Sequence, residues 1–305
     1  MNDPLSQLLR VAGVRGSLIR RARLGAPFGV RAPDQPRAVF HVPVRGSFFL
    51  EAGGEWHEVV PGQIVVVPRG AAHTIAHQPG VETQPIGSFP VVQAHGTGRA
   101  LSVMTNHRDP NDLELLCGFF HLGAPADRWL LDPLPDAFVI DGGGPATRFV
   151  QSTLLLLEDE LSREGLGSTL VSDRLVEVLV IHLLRGWAAD RQELHGWLGA
   201  MREPGLARVL SAVHHDIQRD WSLQHMAKQA GMSRTRFVER FRSRVGTAPG
   251  QFVTDWRMAV ARRALRDGAS VTAAAERAGY ASEASFSRAF KRSVGQSPGA
   301  WRGQA

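Results

Sequence analysis

Cysteine and long apolar runs are nearly absent from this chain of 305 residues. Cys117 is the only cysteine, so no disulfide can form within the chain, and this usage is typical of a reducing cytoplasm. The longest apolar run, 175–184, is shorter than the roughly 18 residues that a membrane span needs. The apolar residues near the N-terminus are interrupted by Arg10 and Arg15, which argues against a signal peptide. We expect a cytoplasmic protein that has no membrane partner.

Lysine is also scarce, since 33 of the 35 basic residues are arginine. The basic residues are unevenly distributed along the chain. Residues 201–305 contain 18 Lys and Arg against 8 Asp and Glu, a net charge of +10, whereas residues 1–200 have a net charge of −4. A basic segment of this size attracts polyanions, mainly through phosphate contacts. The hydrophobic content of 43% is enough for a sizeable core, and the length suits two domains.

The basic third contains an internal repeat, in which residues 222–252 resemble residues 270–301. In each copy a serine can cap a short first helix, a glycine can end it, and a second serine can cap a second helix. Two phenylalanines four residues apart share the inner face of that second helix, and arginines lie on the outer face. The repeat therefore predicts two helix-turn-helix motifs, at 222–244 and 270–293.

Helical periodicity also extends over residues 250–267, which predicts a stiff helix connecting the two motifs. An α-helix fits the DNA major groove, where Arg pairs with guanine and hydroxyl groups bind bases or phosphates. Two motifs in register, both with arginine outside, favour binding to double-stranded DNA over a packing motif with a solvated basic face. The predicted DNA-binding residues are Ser233, Arg234, Thr235, Arg236, Glu239, Arg242, Glu283, Ser285, Arg288, Lys291 and Arg292.

The last third, residues 205–303, resembles the AraC/XylS family of bacterial transcription regulators. The most specific part is AGYASEASFSRAFKRSVGQSPGAWR. The resemblance implies a regulator, more often an activator, that can contact RNA polymerase and inserts the second helix of each motif into the major groove. Positions that meet DNA in the family are occupied here by Thr235, Glu239, Glu283, Ser285 and Arg288. Val238 and Glu239 are poor phosphate partners, which implies base selection by exclusion or weak binding in the first motif.

Short apolar or alternating runs separated by Gly and Pro turns fill residues 28–80, which predicts several short strands in a small barrel or sandwich. A further buried strand is predicted at 113–122, and a long loop with room for one strand at 79–111. The segment PGQIVVVPRGAAHTI resembles the second cupin motif. Its matching residues are Gly62, Pro68, Gly70 and His73. The wider pattern resembles the cupin-type sensor domain that precedes AraC-type motifs, which implies a cupin-like β-barrel (jelly roll).

Three histidines and the cysteine lie on or beside predicted strands and can converge inside one barrel: His41, His73, His77 and Cys117. They form the candidate effector pocket or metal site. Imidazole and thiolate ligands suit zinc or nickel, and the alternative is a set of hydrogen-bonded core side chains. The first cupin motif needs a His-x-His pair and a later Glu, but His41 stands alone, which argues against an iron dioxygenase site. Cys117 is either a redox-active thiolate or an inert buried thiol.

The pattern becomes helical from about residue 146, with a second amphipathic helix at about 169–188. Such a hairpin either forms a dimer seam or covers the β-domain. The predicted fold class is α+β, with a cupin-like sensor domain at 1–145, a helical hairpin and linker at 146–200, and an all-α DNA-binding domain at 201–305.

The combination predicts a homodimeric transcription regulator that is controlled by a small-molecule effector, a metal or a redox signal. Two alternatives stay open: a cupin-type metalloenzyme fused to a DNA-binding module, and an architectural DNA binder. The sequence contains no nucleophile elbow, phosphate-binding P-loop or metalloprotease helix, so we expect no enzymatic activity.

Overall fold

The computed structural model describes residues 4–92, 102–106, 112–140, 145–163, 166–189 and 196–303. The chain folds into two compact units whose segments alternate along the sequence. The helical unit comprises residues 1–13, 122–133 and 192–305, and the sheet unit comprises residues 14–121 and 134–191. The predicted range 1–145 for the sensor domain therefore includes two segments that pack with the C-terminal helices.

Helices account for most of the described residues of the helical unit. In chain order the helices of both units are α1 Pro4–Ala12, α2 Ala126–Leu130, α3 Pro145–Arg163, α4 Ser168–Ala189, α5 Gly196–Met201, α6 Pro204–His215, α7 Leu223–Ala230, α8 Arg234–Val245, α9 Pro249–Arg266, α10 Val271–Arg277, α11 Glu283–Val294 and α12 Pro298–Arg302. None of these helices is both long and apolar enough to cross a membrane, within the described residues.

The strands belong to the sheet unit. They are β1 Arg15–Leu24, β2 Gly29–Ala32, β3 Ala38–Arg45, β4 Phe48–Ala52, β5 Glu55–Val59, β6 Ile64–Val67, β7 His73–Ala76, β8 Gln84–Pro85, β9 Val91–Val92, β10 Ser102–Thr105, β11 Leu113–His121 and β12 Phe138–Ile140. The predicted loop at 79–111 thus contains β8, β9 and β10, and its residues 93–101 and 107–111 lie outside the described part.

Two mixed sheets form from these strands. Within the described residues, one sheet has seven strands in the order β12-β6-β3-β11-β1-β10-β9, and the other has five in the order β5-β4-β7-β2-β8. Most neighbours are antiparallel, but β1 pairs with β10 and β2 pairs with β8 in parallel. The cupin-like, sheet-rich domain is confirmed, although its two sheets stay open rather than close into a single barrel.

The interior of the sheet unit is apolar. Phe48 and Leu50 from the five-stranded sheet share one buried cluster with Val65 and Leu115 from the seven-stranded sheet. Each fully buried side chain of this size stabilises the fold by about 1.5–3 kcal/mol.

A close approach of β3 and β11 fixes the register of the central strands. Gly118 lies opposite Phe40 in the pairing, and a Cβ atom at Gly118 would come within 2.2 Å of the Phe40 ring. Only glycine leaves room for that ring at this position. The same register places Cys117 directly opposite His41.

In the helical unit, arginines of α9 bind carbonyl groups of the N-terminal segments. Arg263 donates to Arg10 O at 3.4 Å and Arg266 donates to Ala12 O at 3.5 Å, at the C-terminal end of α1. Cationic donors suit the free carbonyls at a helix C-terminus. Arg262 donates to Ala124 O at 2.6 Å, and its burial lowers the pKa of the guanidinium.

Helix α2 contributes an aromatic contact to the same unit. Trp129 is buried, and its ring centroid lies 4.5 Å from that of Phe252 and 6.2 Å from that of Trp256, both on α9. These contacts explain why residues 122–133 fold with the C-terminal helices. The predicted linker at 189–203 also contributes to this unit, because α5 lies within it and buries Trp197.

Candidate functional site

Each repeat forms the predicted helix-turn-helix, α7 with α8 and α10 with α11. The hydroxyl of Ser233 accepts a hydrogen bond from Arg236 N at 3.4 Å, and that of Ser282 accepts one from Ser285 N at 3.3 Å, so both serines cap the second helix as predicted. The turn between the helices requires a left-handed residue, which Gly231 provides with a φ of 72° and Gly279 with a φ of 75°.

The inner faces of α8 and α11 fix which side chains point outward. Phe237 and Phe241 are fully buried with ring centroids 5.5 Å apart, and Phe286 and Phe290 are fully buried at 5.4 Å. Because residues four apart share one helix face, the exposed side chains of α8 and α11 lie on the opposite face.

The predicted DNA-binding residues lie on these outer faces. Ser285 is half-buried, and the exposed members are Ser233, Arg234, Thr235, Arg236, Glu239, Arg242, Glu283, Arg288, Lys291 and Arg292. In the part of the chain that the structure describes, none of the basic side chains in this group forms an ion pair. Unpaired cations on the outer face of both repeats are suited to a polyanion.

Two of the predicted residues on α11 also make internal hydrogen bonds. The Thr272 hydroxyl donates to Glu283 Oε2 at 2.7 Å, which ties α10 to α11. The Ser285 hydroxyl donates to Ser282 O at 2.9 Å within the first turn of α11. These contacts hold the N-terminal end of the helix in place.

Other arginines of α8 have a different role, which the sequence did not reveal. Arg240 and Arg244 both pair with Glu203, at 2.8 Å and 2.5 Å, on the side of α8 that faces the rest of the helical unit. Arg257 on α9 donates to Ile217 O and Arg219 O. Part of the positive charge of the last third is therefore used for internal structure.

A second candidate site is an apolar cavity of about 260 Å³ inside the sheet unit. Both sheets contribute to its walls. The lining residues are Leu24, Val30, Ala32, Pro33, Gln35, Val39, His41, His73, Ile75, Ile86, Met104, Leu115 and Cys117. An apolar cavity larger than the roughly 150 Å³ that holds benzene can bind a small organic molecule.

His41, His73 and Cys117 form a chain of contacts on the wall of this cavity. His41 Nδ1 lies 3.1 Å from Cys117 Sγ, and His41 Nε2 lies 3.0 Å from His73 Nε2. His73 Nδ1 lies 2.8 Å from Ala71 O. His41 and Cys117 are on one sheet and His73 is on the other. The contacts among these three side chains therefore cross the interior between the sheets.

Burial disfavours the charged form of both histidines. Burial lowers the pKa of His41 well below its ordinary value, and the neighbouring His73 lowers it further. Burial also lowers the pKa of His73, although the hydrogen bond to Ala71 and the charge of Glu51 partly oppose this shift. An uncharged pair of imidazoles is the state that an apolar cavity favours.

The fourth predicted member, His77, is not part of this group. The Phe28 amide donates to His77 Nδ1 at 3.1 Å, and His77 lines a separate cavity of about 440 Å³ with Glu82 and Asn106. His77 follows β7, two positions beyond Ile75, and the chain has left the cavity wall by that point. Three of the four candidate residues therefore meet at the first cavity, and His77 lies at the second.

The geometry does not support the zinc or nickel interpretation. The two nitrogens of His41 point to different partners, so Cys117 and His73 cannot share one metal ion with a single nitrogen of His41. Over the residues that the structure describes, no group of three or more His, Cys, Asp or Glu side chains is placed to hold a metal ion.

Two protein-family models match this sequence. Residues 3–189 match the model of a cupin family, and residues 226–304 match that of a helix-turn-helix domain. A putative AraC-like transcription regulator of Streptomyces lividans is 32% identical over 98% of both chains. The chain belongs to the AraC-like transcription regulators. This AraC-like regulator is thus a DNA-binding protein of transcription control, and double-stranded DNA is its partner.

Other comparisons cover either nearly the whole of this AraC-like regulator or about a third of it. The transcriptional regulator MtrA of Neisseria gonorrhoeae is 30% identical over 98% of both chains. The DNA-binding domain of AdpA, solved in complex with a target DNA, is 33% identical, with a TM-score of 0.31, and the match covers 32% of this chain and 89% of that one. The relatives are named as regulators, in agreement with the expectation of a non-enzymatic role.

The predicted hairpin of α3 and α4 is present in the sheet unit. Its exposed apolar side chains are Phe149, Leu155, Leu156, Leu166, Leu170, Val171 and Val178. Such a face suits a dimer seam, and the homodimer stays a prediction.

Proposed function

We propose that this AraC-like regulator reads its operator with α8 and α11 and is controlled by a small apolar molecule in the cavity of the sheet unit. The observation that carries the first part is the pair of capped helices, each with buried phenylalanines on one face and unpaired basic side chains on the other. The cavity, lined by side chains of both sheets, supports the second part.

The length of the connecting helix supports the use of both motifs on one duplex. Helix α9 has 18 residues, which corresponds to about 27 Å at a rise of 1.5 Å per residue. One turn of DNA spans about 34 Å, so two helices flanking α9 suit neighbouring turns of the major groove.

Specific and nonspecific contacts can be separated by mutation of α11. Arg288→Ala should weaken binding to the operator by about 1–3 kcal/mol and binding to random DNA much less, because a base-reading arginine contributes chiefly to specific binding. Equilibrium titrations at one salt concentration measure both affinities. Arg31→Ala, which removes an exposed arginine of β2, is the matched control. Equal losses on both DNAs would assign Arg288 to phosphate contact.

The continuity of the chain supports coupling between cavity and DNA. Strand β11 carries Cys117 on the cavity wall and ends at His121, five residues before α2 begins. Helix α2 in turn packs on α9, which connects the two motifs. A ligand that binds more tightly to one position of β11 would shift α2 and α9 through the covalent connection. Allostery requires such a difference in affinity between two arrangements.

The ligand part of the proposal is tested with octan-2-one, an apolar ketone of a size that suits the cavity. We expect octan-2-one to raise the unfolding temperature of the full chain, because a ligand that binds only the folded state stabilises it. Ala32→Leu adds side-chain volume to the cavity wall and should reduce this shift. An unchanged unfolding temperature at millimolar octan-2-one would contradict the proposed ligand class.

A further inference from the structure

The contact between His73 Nδ1 and Ala71 O determines which nitrogen carries the hydrogen in His73 and in His41. Ala71 O can only accept, so His73 Nδ1 carries the hydrogen and donates to it. Neutral His73 therefore accepts at Nε2, and His41 must donate its Nε2–H across the 3.0 Å contact. His41 Nδ1 is then a bare acceptor, and the Cys117 thiol donates to it.

With the hydrogens placed in this way, His41 Nδ1 is the base that can accept the proton of the Cys117 thiol. The arrangement resembles the general pattern of an activated nucleophile, in which a base contacts the nucleophile and a third group fixes the tautomer of the base. His73 is the positioning residue here, because its Nε2 holds the hydrogen of His41 on the far nitrogen. Cys117, His41 and His73 all line the apolar cavity, so a molecule inside it contacts the thiol.

We propose that Cys117 captures apolar α,β-unsaturated carbonyl compounds inside this cavity, with His41 as the base that accepts the thiol proton. The inference rests on the proposed function, since it specifies the chemical class of the apolar effector. The lining gives the preference for an apolar molecule, and the thiol–imidazole contact gives the reaction.

The addition balances without an oxidant or a second reactant. The sulfur forms a bond to the β-carbon while the C=C electron pair moves toward the carbonyl oxygen, and the thiol proton passes to His41 Nδ1. The same proton then moves to the α-carbon, so the net change is addition of S–H across the double bond. His41 ends in the neutral state in which it began, as burial in the cavity requires.

The test measures adduct formation in the full chain by intact-protein mass spectrometry, with oct-3-en-2-one as the probe. We expect one adduct per chain, formed at least tenfold faster than with N-acetylcysteine, and none in Cys117→Ser. Because Cys117 is the only cysteine, an adduct that persists in Cys117→Ser would overturn the proposal. Acrylamide, a hydrophilic acceptor, should gain no such advantage over N-acetylcysteine.

Variants of the histidines separate a chemical role from a structural one. His41→Gln should slow the addition roughly 10-fold at pH 7, less than the usual effect of removing a general base because burial weakens the basicity of His41, and the rate should recover at alkaline pH where the thiol ionises unaided. His73→Ala should show the same dependence on pH, because it frees the tautomer of His41. His77→Gln is the matched control on the neighbouring cavity and should react like the natural chain. Equal rates in His41→Gln and His77→Gln would contradict the role of His41.

Competition with octan-2-one keeps this inference distinct from the proposed function. The saturated ketone has no double bond to attack, so it should protect Cys117 from oct-3-en-2-one by occupying the cavity. If octan-2-one binds but the enone reacts no faster than with N-acetylcysteine, the nucleophilic role is wrong and the apolar effector site stands. If octan-2-one neither binds nor protects, both proposals fail. The wild-type rates decide these outcomes even where a variant does not fold.

Discussion

At the scale of single residues, the arginines in the last third of the chain have two different roles. Arg262, Arg263 and Arg266 bind backbone carbonyls, whereas Arg236 and Arg288 extend into solvent. A guanidinium group that is held by carbonyls cannot turn toward a phosphate without losing those hydrogen bonds. The charge that is available to DNA is therefore smaller than the net charge of the segment suggests.

The sequence located the outward arginines but not the internal ones. Periodicity identifies the faces of one helix, so the outer positions of α8 and α11 followed from the buried phenylalanines. The partners of Arg262 and Arg263 are carbonyls of residues more than a hundred positions away, and no local pattern encodes such a contact. The pairing of Cys117 with His41 depends in the same way on the strand register, which is set by Gly118 and Phe40.

The buried histidines predict a dependence of stability on pH. Because the pKa of His41 and of His73 is lowered by folding, the unfolded chain binds protons first as the pH falls below about 6.5. Their contribution is complete above that pH and is lost as the pH falls toward the folded pKa values. The free energy of unfolding should therefore decrease between pH 7 and pH 5.5. The titratable groups next to the two histidines are Glu51, whose charge raises the pKa of His73, and Cys117, which contacts His41.

Denaturant titrations across this pH range measure the effect. His41→Gln should show a shallower decrease than the natural chain, because one of the two linked protons is removed. His57→Gln on β5, away from the cavity lining, should keep the full slope. A slope that does not change in His41→Gln would contradict the inferred burial of a neutral imidazole.

At the scale of elements, capping explains why the predicted helices of the repeats begin where they do. Ser222, Ser233, Ser270 and Ser282 each accept a hydrogen bond from a backbone amide three residues on. Serine at these positions satisfies one of the free N–H groups of the first turn. The sequence therefore predicted the four helix starts correctly.

Shorter elements were harder to predict. Helix α2 has 5 residues and β12 has 3, so neither contains enough periods of its pattern to be recognised. Their existence depends on tertiary contacts, such as the packing of Trp129 on Phe252. For the same reason, no local pattern indicates that residues 122–133 belong with the C-terminal helices.

The cap of α11 provides a quantitative test at this scale. Ser282→Ala should cost about 1 kcal/mol, because it leaves the Ser285 amide without its acceptor. Amide hydrogen exchange of α11 in the full chain measures the loss locally. Ser293→Ala, in the exposed last turn of the same helix, is the matched control and should change exchange by a few tenths of a kcal/mol at most. Equal effects of the two substitutions would contradict the capping role.

At the scale of the whole molecule, the alternation of segments between the two units is the feature with the greatest functional consequence. The chain passes from the helical unit into β1 at residue 14 and leaves β11 for the helical unit at residue 122. Strands β1 and β11 are neighbours in the seven-stranded sheet. Two of the four connections between the units therefore arise from adjacent strands, one of which carries the cavity thiol.

Hydroxyl-radical footprinting of the full chain on its operator tests the central claim, that α8 and α11 each enter a major groove. We expect two protected patches on one face of the duplex, about one helical turn apart. Arg236→Ala should weaken one patch and Arg288→Ala the other. A single protected patch, or one that both substitutions weaken equally, would contradict the account.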